Sequence, residues 1–429
     1  MNGPGAAPVR RIEPLPRPPD VTVEVPGSKS LTNRALLAAG LARGTSTLSG
    51  VLDADDTRAM VDGLRALGVA VGWQDATTLT VAGAGGVPPV AAPHLDVRLS
   101  GTTARFLAPV LALLAGPATL DAAAPFRRRP MGPAIAALRA LGCTVEEQGV
   151  AGHLPIRVTG GPVDGGAVEV AGEVSSQFLS GLLLAAPAFP DGLTIRLTTA
   201  LVSEPYVDMT AHVLDRFGAV LQRPEPGTFV VAGTGYRGQA FAIEPDASAA
   251  SYLLAAAAIT GGRVRVAGLG RGSVQGDAGF AAVLARMGAE VVVDDHGTEV
   301  RGTGALRGIE VDLGPMSDTA QTLAAVAVFA DGPTRITGIG FIRAKETDRI
   351  AAVVTELQRL GIDAREETDG LLIHPGTPRP GTVATYDDHR MAMSFALLGL
   401  RVPGIAIADP GCVGKTFPTY FEVLERLRG

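Results

Sequence analysis

Lysine occurs at only three positions, Lys29, Lys345 and Lys415, in a chain that holds 37 Lys and Arg in total. A solvated surface tolerates arginine in place of lysine, but a site that needs a compact, rotatable ammonium or a shiftable pKa does not. All three lysines fall in Gly/Ser/Asp-punctuated loops that open onto helices. The first lies in Pro26-Gly27-Ser28-Lys29-Ser30-Leu31-Thr32-Asn33-Arg34, where a small-residue turn ends the β-like run Val21–Val25 and opens an apolar helix. Free backbone N–H groups and the helix dipole favour an anion at such a turn, and Lys29 and Arg34 add full charges. An ordinary Ser-capped helix is the plain alternative.

Other loops carry the same kind of chemistry. Ser100-Gly101-Thr102-Thr103 precedes Arg105, Ser175-Ser176-Gln177 opens another apolar helix, and Asp387-Asp388-His389-Arg390 a third. Single Ser or Asp residues are explained by capping; triplets of donors beside Arg or Lys point to ligand contacts. Arg127-Arg128-Arg129 would repel one another unless solvated or bound to anions. Lys345 and Glu346 are adjacent, so on a helix they address different neighbours, with Arg349 one turn beyond Lys345. Lys29, Arg105, Arg127 or Arg128, Arg349, Arg390 and Lys415 supply more charge than one phosphate needs. Asp318 and Glu346 are the nearest acid/base candidates.

The elements that position these loops repeat. Helix ends of the form L-x-x-[LFM]-G occur at Leu64–Gly68, Leu138–Gly142, Leu214–Gly218, Leu284–Gly288 and Leu357–Gly361, with a stretched sixth at Leu424–Gly429. Each glycine is placed as a left-handed cap. Very apolar helices open in phase at Ser28, Ser100, Ser175, Asp246, Ser317 and Asp387, and they are apolar nearly all round, which predicts burial on most faces. The L-x-x-[LFM]-G helices are amphipathic and predict solvent-facing positions. Each unit of about 70 residues reads as buried helix, strand, outer helix and further strands. Six units exceed one core, so two domains of three units are expected, with a seam near 238–245.

Bulk properties exclude several classes. The net charge of −6 leaves no general nucleic-acid footprint, and no Lys/Arg run suggests a membrane anchor. The longest apolar runs are too short to span a bilayer. Cys143 and Cys412 make neither a disulfide framework nor a CxxC site, which points to a cytoplasmic protein. Residues 1–20 are Pro-rich without an apolar core and read as a loose arm, not a signal peptide. The six histidines show no ligand spacing, so no metal is expected. Gly411-Cys412-Val413-Gly414-Lys415-Thr416 is a decoy for a phosphate-binding P-loop: it has two residues between its glycines where the Walker pattern has four.

Eight motifs in chain order, PGSKS–NR (26–34), SGTTAR (100–105), RP-G (129–132), VSSQF (174–178), LVSEPY (201–206), AKETDR (344–349), DDHRMAM (387–393) and GKTFPTYF (414–421), resemble the 5-enolpyruvylshikimate-3-phosphate synthase family. The resemblance covers residues 21 to 429. It implies an α/β fold of two inside-out, barrel-like domains, each of three βαβαββ units around buried helices. It assigns residues 27–244 to one domain and 1–26 with 245–429 to the other, the N-terminal strand returning to the second half. It implies transfer of the enolpyruvyl group of phosphoenolpyruvate to the 5-hydroxyl of shikimate 3-phosphate with release of phosphate, by a cytoplasmic monomer that uses no cofactor and no metal.

Carried over by position, Lys29, Ser30, Arg34, Ser175, Ser176, Gln177, Ser203, Tyr206, Asp318 and Lys345 would hold shikimate 3-phosphate. Lys29, Gly101, Arg127, Gln177, Arg349, Arg390 and Lys415 would hold phosphoenolpyruvate. Asp318 resembles the proton acceptor and Glu346 the proton donor, with Lys29 sharing in proton transfer. Two positions depart from the family pattern: Phe341 and Leu99 stand where many members have asparagine. Gly101, where bulk would crowd the phosphoenolpyruvate site, is kept, which implies sensitivity to glyphosate. The related UDP-N-acetylglucosamine enolpyruvyl transferases usually carry a reactive cysteine in the loop equivalent to Pro125–Pro130, and this chain has none there.

Overall fold

The computed structural model describes residues 8–90 and 92–429. The chain forms two compact units, one of the N-terminal segment through Pro26 with Pro245–Gly429, the other Gly27–Glu244. Each unit is built on three helices that are buried along nearly their whole length. In the second these are Lys29–Leu41, Gly101–Val110 and Ser176–Ala185; in the first they are Ala247–Thr260, Ala320–Ala327 and His389–Gly399. Their Ala, Leu and Gly side chains let three helices share one core without the usual polar face.

Strands wrap each buried helix. Around four of the six buried helices the strand before the helix pairs in parallel with the strand after it, as His94–Asp96 does with Ala118–Asp121, Gly165–Val170 with Gly192–Leu197, and Glu310–Asp312 with Thr334–Thr337. Around Lys29–Leu41 and Ala247–Thr260 the preceding strands are exchanged: Asp20–Val23 pairs with Arg263–Ala267, and Ala240–Ala242 with Thr45–Ser49. An outer helix comes next, and then two antiparallel strands complete a four-stranded sheet, as at Thr144–Glu147 and Ile156–Thr159. The outer helices, such as Asp55–Ala66 and Arg349–Arg359, bury one face and end on the repeated glycines. Gly68, Gly142, Gly218, Gly288, Gly361 and Gly429 all have positive φ, between 83° and 110°. A side chain at these positions would clash with its own backbone.

Two of the six predicted helix starts shift. Ser317 lies inside the 3₁₀ turn Gly314–Thr319, and the helix begins only at Ala320. In the sixth repeat the cap is Asp388, whose side chain accepts from Arg390 N at 2.8 Å, while Asp387 is left-handed with φ 56°.

Residues 8–20 are not a loose arm; residues 1–7 lie outside the described residues. Val9–Arg11 pairs antiparallel with Ala406–Ala408, and Asp20–Val23 pairs in parallel with Arg263–Val266. The reason is the repeat itself. In the sheet of the sixth unit, Val9–Arg11 takes the place beside Ile405–Ala408 that an antiparallel strand following the outer helix takes in the other sheets, as Ile156–Thr159 does beside Ala118–Asp121. Prolines flank Val9–Arg11 but none interrupts it, so the ladder keeps its donors. Ile12 is 2% exposed and packs so closely on Gly399 that a Cβ there would lie 2.5 Å from its own.

Candidate active site

In the Gly27–Glu244 unit, Ser28 caps the Lys29–Leu41 helix by accepting from Leu31 N, which puts Lys29 and Ser30 in its first turn. Lys29 Nζ lies 3.4 Å from the buried carboxylate of Asp56. Arg34, one turn further in, is fully buried. Its Nε donates to Thr210 Oγ1 at 2.8 Å, Nη1 to Ser30 O at 2.9 Å, and Nη2 to Tyr206 O at 3.0 Å and Ser180 Oγ at 3.3 Å. These acceptors are all neutral, and burial pulls the guanidinium pKa down to about 10. A buried cation held by neutral groups is a strong attractor for an anion.

The neighbouring loops converge on this region. Ser175 accepts from Gln177 N at 3.3 Å and caps the Ser176–Ala185 helix. Gln177 accepts from Arg105 Nη1 at 2.6 Å and donates to Thr102 Oγ1 at 3.4 Å. Ser203 has φ 54° and is buried, and its hydroxyl has no hydrogen-bond partner. The strained backbone and the unsatisfied buried hydroxyl make Ser203 a candidate for a ligand contact.

Arg127 is not brought there. It closes the short Ala124–Arg127 helix and turns back to Asp121, with Nε 2.9 Å from Oδ1 and Nη2 2.8 Å from Oδ2, largely in solvent. Arg128 is exposed as well. Arg129 is the arginine of this loop that lies against Gly101: a Cβ on Gly101 would stand 3.2 Å from both of its terminal nitrogens. Phe126 supports that guanidinium, 5.0 Å from ring centre to Cζ.

The other unit carries an ion cluster around Arg349, the first residue of the Arg349–Arg359 helix. Arg349 is 2% exposed and reaches three carboxylates, Asp388 at 2.7 Å, Glu346 at 2.8 Å and Asp318 at 3.0 Å. Burial pulls its pKa down, but the three acids outweigh this and hold it above the ordinary arginine value. Asp318 also accepts from Arg390, at 2.6 Å through Oδ2 and at 3.0 Å through its backbone oxygen. Glu346 also accepts from Lys415 Nζ at 2.9 Å. Arg390 Nη1 lies 3.3 Å from the hydroxyl of Tyr252, which burial pushes up to about 12, so the phenol stays neutral. Lys345 lies 5.8 Å from the ring centre of Phe341, a cation–π contact where an amide would have offered a hydrogen bond. Leu99 is 43% exposed.

The arrangement can therefore do two things: neutralise phosphate and carboxylate groups, and present two carboxylates, Asp318 and Glu346, on either side of one buried guanidinium. A sequence model of the family described as EPSP synthase (3-phosphoshikimate 1-carboxyvinyltransferase) matches residues 16–424. The chain belongs to the EPSP synthase family. Among EPSP synthase relatives, the 3-phosphoshikimate 1-carboxyvinyltransferase of Nostoc punctiforme is 46% identical over 412 residues, 96% of this chain and 97% of its own length. That of Bordetella pertussis is 43% identical over 416 residues, 94% of each chain. The EPSP synthase structure from Acinetobacter baumannii matches with a TM-score of 0.82 at 27% identity over 98% of both chains. The enolpyruvyl transferase NikO from Streptomyces tendae shares the fold, with a TM-score of 0.76 at 20% identity over 99% of this chain and 98% of its own.

Asp56 and Tyr252 are cluster residues that the sequence does not single out, and Asp388 and Arg129 appear there only within their motifs, without a role of their own. Asp388 is visible within its motif, but its role as the buried partner of Arg349 depends on a contact across 39 residues. Arg129 carries a usable signal, since it directly precedes Pro130 in the RP-G motif.

Proposed function

We propose that Asp318, Glu346 and Lys29 perform the proton transfers of enolpyruvyl transfer in this chain. The reaction joins the 5-hydroxyl of shikimate 3-phosphate to C2 of phosphoenolpyruvate and then expels phosphate, a step of aromatic amino-acid biosynthesis. Addition takes a proton from the hydroxyl and gives one to the methylene carbon; elimination reverses the second transfer. Asp318 is the acceptor for the hydroxyl proton and Glu346 the donor to carbon. The observation that carries this assignment is the shared grip of Arg349 on both acids, at 3.0 and 2.8 Å. A substrate phosphate or carboxylate competing for Arg349, Arg390 and Lys415 releases these carboxylates from their ion pairs to face the reacting atoms.

In the Gly27–Glu244 unit, Lys29, Ser30, Arg34, Ser175, Ser176, Gln177, Ser203 and Tyr206 are the proposed ligands of shikimate 3-phosphate. Arg129, with Gly101 and Gln177, replaces Arg127 as the proposed phosphoenolpyruvate contact. In the other unit Lys345 is proposed for shikimate 3-phosphate, and Arg349, Arg390 and Lys415 for phosphoenolpyruvate. The same reading has the chain act as a cytoplasmic monomer without a cofactor.

Phosphate release from phosphoenolpyruvate, measured with and without shikimate 3-phosphate, tests the proposal in wild type and Lys29→Arg. Release that requires both substrates in wild type and falls sharply in Lys29→Arg is expected. Equal rates for the two proteins would remove Lys29 from the chemistry, and no release from either would remove the reaction.

The Gly101 geometry sets two more outcomes. Arg129→Ala raises the KM for phosphoenolpyruvate about 10- to 100-fold, the loss of one charge-assisted hydrogen bond, whereas Arg127→Ala leaves it near wild type. A reversed ranking in steady-state kinetics would return the role to Arg127. Gly101→Ala forces the Arg129 guanidinium to give way by a few tenths of an ångström. It weakens both phosphoenolpyruvate and glyphosate binding, by roughly 10-fold for the substrate. Wild-type activity that persists at high glyphosate would count against the inhibitor part of this reading.

A further inference from the structure

Glu356 lies on the same helix as Arg349, seven residues further on, and is fully buried. Seven residues are two turns, so both side chains leave the helix on one face. Arg349 holds Asp388, at one end of the loop that leads into the His389–Gly399 helix. Glu356 holds the other end: its carboxylate accepts from Ala384 N at 3.1 Å and from the Tyr386 hydroxyl at 2.7 Å. Arg359 Nη1 balances its charge at 2.8 and 3.1 Å.

Between these two holds the backbone takes an unfavourable path. Tyr386 and Asp387 have φ of 55° and 56°. The left-handed region crowds Cβ against the backbone, and two successive non-glycine residues stay there only when their surroundings over-determine it. A buried carboxylate fixed to one backbone N–H and one hydroxyl of the turn provides that constraint. The turn then sets the direction of the helix start: Asp388 N donates to Thr385 O at 2.9 Å, and the Asp388 carboxylate accepts from Arg390 N.

We propose that Glu356 is a positioning residue that locks the Tyr386–Asp387 turn and so aims Asp388 and Arg390 into the anion cluster. The kinetic part of this proposal rests on the proposed enolpyruvyl transfer; Glu356 itself touches no substrate. Asp388 fixes Arg349 and Arg390 contacts Asp318, so a loosened turn misplaces the cations that meet phosphoenolpyruvate.

Steady-state kinetics, thermal unfolding and hydrogen exchange on five variants test it. Glu356→Ala raises the KM for phosphoenolpyruvate about tenfold, with a smaller change in kcat, as expected for a misplaced ligand group. Tyr386→Phe, which removes only a hydroxyl of a half-exposed side chain, gives a smaller rise at unchanged Tm. Glu356→Gln falls between them, because its amide oxygen still accepts from Ala384 N. Adding Asp387→Gly to Glu356→Ala recovers part of the loss, since glycine adopts the left-handed turn without support. Leu357→Ala, a buried cut on the same helix, lowers Tm and leaves that KM unchanged.

An unchanged KM in Glu356→Ala and Tyr386→Phe overturns the proposal. So does an equal rise in Leu357→Ala, which would make the effect one of general stability. Should Glu356→Ala fail to fold, Tyr386→Phe and Glu356→Gln decide. Hydrogen exchange needs no substrate and separates this proposal from the reaction assignment. Faster exchange at residues 384–388 in the Glu356 variants supports the lock even if turnover with these substrates fails, and unchanged exchange refutes it.

Discussion

Glu346→Gln lowers kcat by about 10³-fold, the middle of the range for loss of a general acid or base, while the Tm stays close to wild type. Glutamine keeps the shape and one oxygen acceptor, so a contact to either Lys415 or Arg349 survives, at 2.9 or 2.8 Å in the parent. It loses the ability to carry a proton to and from carbon. Protonation of the methylene carbon then lacks its proposed donor. KM values therefore move only a few-fold in either direction. A rate within tenfold of wild type in a stopped assay would remove Glu346 from the proton-donor role. Asp318→Asn, tested beside it, should also lose rate, and it should raise the KM as well, because Asp318 holds Arg390 at 2.6 Å.

Arg349→Ala is expected to cost stability as well as activity. The guanidinium is buried, and three carboxylates converge on it. Removing one partner of a buried ion pair typically costs about 3–5 kcal/mol, because the remaining charges stay buried and unpaired. Asp388 is the decisive one, since it is fully buried, whereas Asp318 and Glu346 retain Arg390 and Lys415. For a unit of this size the corresponding fall in Tm is roughly 10 °C. Arg349→Lys should recover only part of it, because one ammonium cannot span three carboxylates that a planar fork reaches. Thermal unfolding at neutral pH reads this directly, and an Arg349→Ala protein with wild-type Tm would show that the cluster contributes nothing to folding.

Much of this architecture is legible in the chain because the repeat is local. Serine or aspartate before an apolar run, and glycine after an amphipathic one, specify a helix from its own ends, so Ser28, Ser100, Ser175 and Asp246 are readable as caps. The failures are long-range or depend on phase. Nothing local in Val9–Arg11 says that it pairs with Ala406–Ala408. Within Arg127-Arg128-Arg129, one step along a short helix rotates a side chain by about 100°, so the choice of arginine depends on a turn that composition cannot time. Asp387 and Asp388 are similarly one residue apart in role, because the cap comes after a left-handed pair that only the tertiary contacts of Glu356 support. Lysine scarcity is informative for a different reason: it draws attention to the three positions where lysine stands in a chain that otherwise uses arginine. Two of the three lysines contact acids of the clusters, Lys29 at Asp56 and Lys415 at Glu346.

Shikimate 3-phosphate and phosphoenolpyruvate are proposed to combine by addition and then elimination, and on this the assignment of every site residue depends. The most direct measurement is NMR of both substrates with the enzyme in D₂O. Free phosphate should appear only when both substrates are present, together with an enolpyruvyl ether that keeps the shikimate phosphate. Its vinyl carbon should carry deuterium, because the intermediate passes through a methyl group protonated from solvent. Phosphate released without the ether, or an ether whose vinyl carbon never exchanges, would contradict it.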